Sequence, residues 1–171
     1  MHRSVPYVLV VTVATLVSVG GVSGADSDKE HAELAKALAA AKVSLGRGLA
    51  AAATAGKPIS AKFEIEEGRL QLSVYTDRDG KFSEVVVDHT TGKVGKPEPI
   101  AEGEDLAHAQ AQSEAMAKAK VSLSAAVSKA VKANAGFHAV SVFPSLKDGH
   151  PAAEVSLHKG TEWRTVTEKL E

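Results

Sequence analysis

The sequence predicts an α+β protein of two repeats, each an α-helix packed on a small antiparallel β-sheet of about three strands. Three observations predict it. The segment Ala41-Lys42-Val43-Ser44-Leu45 recurs as Ala119-Lys120-Val121-Ser122-Leu123. Each copy continues as an Ala-rich stretch whose apolar residues recur every three or four positions, the helical spacing. Each then passes a Gly-containing break (Gly56, Gly136) into short runs that alternate apolar and polar residues, the period of a half-buried strand. The order of elements matches in both copies, and duplication of a module is the simplest account.

The elements follow from the N-terminus. Met1-His2-Arg3 is basic, Val5 to Val19 is almost wholly apolar, and Ser23-Gly24-Ala25 places small residues before Asp26. That is the pattern of a secretory signal peptide over residues 1–25, cleaved after Ala25. The apolar run is shorter than the roughly 20 residues that span a bilayer. The expected mature chain is periplasmic or secreted, with no membrane span after cleavage. It contains no cysteine, so neither a lipid-bearing thiol nor a disulfide framework is present. With 20 basic and 21 acidic residues over the full chain, and Arg3 lost with the leader, the balance is slightly acidic. Nucleic acid and anionic lipid surfaces both call for a basic face, so neither is an expected partner.

Module 1 is expected over residues 26–95. Leu34, Leu38, Ala41, Leu45, Leu49 and Ala52 form one helical stripe, weakened by Gly46 and Gly48. Ala61, Phe63 and Ile65 share one face of a strand, opposite Lys62, Glu64 and Glu66; Leu70, Leu72 and Val74 share a face of the next. Glu67-Gly68 and Asp77-Arg78-Asp79-Gly80 are hairpin signals, with Gly or Asp at the positive-φ positions. Val85-Val86-Val87 is a third strand. Residues 96–105 form a linker that Pro97 and Pro99 keep out of any regular ladder, and Asp105 is the expected N-cap of the next helix. Module 2, residues 106–171, has Met116, Leu123, Val127 and Val131 as its helical stripe, a first strand from Phe137 to Phe143, and a last strand holding Trp163 and Val166. With so few large aromatics each module buries a thin core, and units of about 60 residues are marginal on burial alone, so the modules should support each other.

The first copy resembles a PepSY domain over roughly residues 40–95. The resemblance rests on the Ala-rich helix, the hairpin at Gly68 and the close Asp88-His89-Thr90-Thr91-Gly92-Lys93-Val94, which fits the family's Asp-x-x-Thr-Gly-Lys/Glu-Val segment. Asp88 and Thr91 can bond turn amides and Gly92 supplies the positive φ. The second copy lacks that close and is a degenerate PepSY-like repeat. The resemblance implies a regulatory module that inhibits or chaperones an exported peptidase, acting in trans because no peptidase region is attached.

Catalytic patterns are missing from the sequence: it has no HExxH, Walker loop, GxSxG or Cys nucleophile. Ser156 and Lys159 have Ser-x-x-Lys spacing, but on a strand they point to opposite faces. No catalytic, cofactor-binding or metal-binding residue is therefore expected. His150 and His158 could meet across a hairpin as a weak metal site. Tyr75 and Trp163 are the candidate partner contacts, weighed against packing between modules. The expected function is that of an exported, non-catalytic binding or regulatory protein whose partner is an exported or envelope protein, a peptidase first among them. The alternative is a small-ligand or metal-binding envelope protein with a cleft between the modules.

Overall fold

The structure, a computed structural model, describes residues 24–171. The expected leader lies almost wholly outside them. Helices α1 (Gly24–Leu38) and α2 (Leu45–Ala52) precede strands β1 (Lys57–Glu66), β2 (Arg69–Arg78), β3 (Lys81–Val87) and the short β4 (Glu98–Ile100). Helices α3 (Gly103–Lys118) and α4 (Leu123–Ala133) then precede β5 (His138–Lys147), β6 (His150–Lys159) and β7 (Glu162–Lys169). Among the described residues no helix is long and apolar enough to cross a membrane.

The expected pair of helix-on-three-strand units does not form. The strands make one seven-stranded sheet in the order β4-β3-β2-β1-β5-β6-β7, with antiparallel neighbours. The seam is β1 against β5, where Ala61 faces Val142 and Lys62 faces Ser141. Ala61 and Val142 are fully buried. Joining the halves there removes two bare strand edges and completes a core that neither thin half closes by itself.

The helices also differ from expectation. Each half has two, and the repeated Ala-Lys-Val-Ser-Leu segment is the break between them rather than part of one long helix. Lys42 and Val43 donate their amides to His89 O, and Lys120 and Val121 donate theirs to Leu170 O. A backbone committed to a distant carbonyl leaves the helical ladder. Ser44 and Ser122 then cap the next helices, accepting from the amides of Arg47 and Ala125. Asp105 is not a cap: α3 starts behind Glu102, and Asp105 lies in its acidic first turn, where the helix dipole favours it. In the expected linker, Pro99 sits within β4, opposite Ser83. A three-residue edge strand accepts a proline because one side of it makes no ladder.

Strand alternation gives the sheet an apolar and a polar face. Phe63, Leu72, Val74, Val85, Val87 and Val155 lie on the apolar face under α2 and α4. Gly48 allows that approach: a Cβ there would stand 2.5 Å from Leu72 Cδ2. The polar face lies under α1 and α3, and each of these helices reaches into the other half. Gln112 on α3 accepts from Ser60 Oγ at 2.6 Å, Ser113 donates to Asp77, and Met116 O accepts from Lys57 Nζ at 2.8 Å. His31 on α1 stacks on Trp163 of β7, with ring centroids 4.5 Å apart. The hairpin turns form where the sequence places them, with Glu67, Gly68, Asp79 and Gly80 at positive φ.

Candidate functional site

Two regions and one edge carry chemistry. The first lies on the polar face of the first half. Two-residue turns at Glu67-Gly68 and Asp79-Gly80 set the register, so that Lys62 faces Ser73, Glu64 faces Gln71, and Tyr75 faces Glu84. Ser73 is fully buried, and Tyr75 and Glu84 are each 8% exposed. Ser73 Oγ lies 2.7 Å from Glu84 Oε1, 2.9 Å from Glu64 Oε1 and 2.9 Å from Gln71 Nε2. Lys62 pairs with the other oxygen of Glu64 and stands 5.9 Å above the Tyr75 ring. Among the described residues the Tyr75 hydroxyl has no hydrogen-bond partner. Burial, reinforced by the charges of Glu84 and Glu64, pushes its pKa far up, so it stays a neutral phenol. Burial likewise raises Glu84, against the opposing Ser73 contact. Tyr75 therefore does not present the open surface expected of a partner anchor.

The second region is a row of rings at the far end of the same face. Trp163 is half-buried, with His31 stacked on it and His158 tilted against it at 5.5 Å. His158 in turn faces His138 across β5 and β6, centroids 6.0 Å apart. Burial lowers the His158 pKa, an effect opposed by a bond to the Gly160 backbone and aided by His138, so the ring is neutral at pH 7. Beside Trp163 an open groove of about 490 Å³ runs between α1 and the β6–β7 turn, lined by Asp28, His31, Lys36, Gly160 and Thr161. His150 and His158 do not meet: they stand at opposite ends of β6, and His150 pairs with Glu171 instead. Strand rise separates such positions by more than 20 Å. Among the described residues no three His, Cys, Asp or Glu side chains are placed to share a metal ion.

The edge is β7. The opposite edge is the three-residue β4, with Pro99 at its centre; β4 covers Phe82, Ser83 and Glu84 of β3, and Val94 bridges to Val87. No strand among the described residues pairs with the outer side of β7, which runs for eight residues.

The Asp88–Val94 close has a structural task. Asp88 Oδ1 accepts from Thr90 N, Thr90 Oγ1 and Thr91 N at 2.6–2.9 Å, which holds its carboxyl well below the usual carboxylate range. The turn so fixed presents His89 O to α2's lead-in. Ser156 and Lys159 lie on β6 with opposite orientations, and Lys159 stands over the Phe137 ring. Sequence reasoning passed over Glu64, Ser73 and Glu84, although the turn positions and the alternation together put them on one face. No family model matches the chain, and neither curated proteins nor solved structures give a match.

Proposed function

We propose that the chain is an exported, non-catalytic binding protein that takes an extended segment of a partner protein as an added strand on β7. The observation that carries this is the asymmetry of the sheet: one edge is the three-residue, proline-bearing β4, whereas β7 offers an eight-residue edge of main-chain donors and acceptors. Such an edge gives affinity through the backbone and selectivity through alternate side chains. Here Trp163, Thr165 and Thr167 lie on one face of the strand, and Arg164, Val166 and Glu168 on the other. The signal-like N-terminus supports export, and the PepSY-like close at Asp88 makes an exported peptidase the first partner to test.

The test combines inhibition with amide hydrogen exchange. Micromolar protein is expected to change the activity or refolding yield of a co-secreted peptidase, with new protection over residues 162–169 in the complex. Binding that protects another surface and leaves β7 unchanged would defeat the strand-addition reading. A complete lack of effect on co-secreted peptidases would defeat the peptidase one.

A second reading, small-ligand binding, is favoured by the groove between α1 and the β6–β7 turn. Its aromatic wall suits a planar ring, and Asp28 and Lys36 offer one charge of each sign. Trp163 is the only tryptophan, so its emission reports this groove alone. Titration with phenylalanine and histidine should give a saturable emission change that His31→Ala removes. Flat emission with both probes argues against the reading.

A further inference from the structure

Ser73 stands between two carboxyl groups, and its hydrogen bonds do not add up with both ionised. A hydroxyl brings one hydrogen and two lone pairs. The Gln71 side-chain amide donates into one lone pair at 2.9 Å. The hydroxyl hydrogen can serve one carboxylate. The other carboxyl oxygen, also within 2.9 Å, must then bring its own hydrogen, or two oxygens meet lone pair against lone pair.

We propose that Glu64, Ser73 and Glu84 form a proton-binding site that holds one extra proton at neutral pH, seated on Glu84. The partners decide the seat: Gln71 Nε2 also reaches Glu84 Oε1, at 3.3 Å, but it is a neutral donor. Lys62 forms a salt bridge with Glu64, whereas no salt bridge among the described residues reaches Glu84. The chain then runs in one direction. Glu84 donates to Ser73, Ser73 donates to the Glu64 carboxylate, and Lys62 neutralises the far end. The separation of 2.7 Å between Glu84 Oε1 and Ser73 Oγ is ordinary for an O–H···O bond.

The surroundings keep that proton in place. From β1, Glu66 lies near with Lys62 and Glu64; from β4, Glu98; and from α3, Asp105. On β2, Tyr75 is a buried neutral phenol, and Arg69 lies further along the same face, opposite Glu66. α1 packs Leu34 and Leu38 against the core and keeps Glu33 and Lys36 at its surface. Lys62 is thus the near cation among several acids, and it already serves Glu64. Removing the proton sets two carboxylates on one fully buried hydroxyl, in a setting where water screens them poorly.

The sign of the pH effect follows. Glu84 binds its proton more tightly folded than unfolded. Its contribution to stability is complete below the ordinary Glu range and is lost as pH rises through the folded value.

The experiment follows the side-chain carboxyl carbons of Glu64 and Glu84 by NMR in the intact chain, from about pH 3 to about pH 9, a range bracketing ordinary carboxylates. Glu84 is expected to ionise above the ordinary Glu range. A Glu84 carbon that ionises within or below that range overturns the proposal. A second variant guards against a fold artefact. In Glu84→Gln the amide N–H takes the place of the carboxylic acid hydrogen, so the loss of Tm on going from about pH 5 to about pH 8 should shrink by at least about half. The same loss in wild type and Glu84→Gln overturns it equally.

Discussion

Residues 26–102 expressed without the remainder are expected to stay largely unfolded, and residues 103–171 likewise. The cut leaves β1 and β5 as bare central strands and opens Ala61 and Val142 to water. It also strips the polar face of each half. Lys57, Ser60 and Asp77 lose Met116, Gln112 and Ser113 of α3, while Trp163 loses His31 of α1. On the apolar side, α2 and α4 contribute to one core, with Leu49, Ala52, Leu123 and Val127 in the same cluster. A unit of that size is marginal even when its surfaces are closed. Circular dichroism and a thermal melt of each piece check this, and mixing the pieces should restore a cooperative transition that depends on concentration. A cooperative melt of either half alone, near that of the whole chain, would show that the halves are independent.

The periodic elements were legible, whereas their arrangement was not. Alternation at Ala61-Phe63 and Leu72-Val74 gave strands with the right buried face, and the Gly-containing turns gave the right partners. Three features escaped. The helical stripe running from Leu34 to Ala52 looked continuous because three- and four-residue spacing survives a break when Ala and Leu lie on both sides. The break itself is made by a long-range acceptor, His89 O, which no local pattern reveals. The seam between β1 and β5 was equally hidden: each strand has the same alternation whether its neighbour comes from its own half or the other. The polar site was missed for a different reason. Lys62, Glu64, Gln71 and Glu84 are residue types that ordinarily mark a solvated face. Here α1 and α3 pack on that face, so the residues become a partly buried network instead of a solvated surface.

The largest single-residue effect is expected at Leu170, one position past β7. Leu170→Ala should destabilise the protein by about 2–5 kcal/mol, the range for removing a buried leucine side chain from a packed core. Lys169→Ala, one position earlier and exposed, should change stability by less than about 0.5 kcal/mol. Urea unfolding of the two variants separates them, and near-equal midpoints would mean that the terminal segment is not seated as described. The reason for so large an effect is that Leu170 does two jobs. Its side chain is fully buried, and its backbone is a junction: the amide donates to Pro151 O, and the carbonyl accepts from Lys120 and Val121. Those two amides lead directly to the Ser122 cap of α4, just as the amides bound by His89 O lead to the Ser44 cap of α2. In the first half a turn braced by Asp88 holds the carbonyl in place. In the second half the carbonyl belongs to Leu170, whose own fully buried side chain helps to fix it. Truncating that side chain therefore loosens the start of α4 as well as the core beneath it.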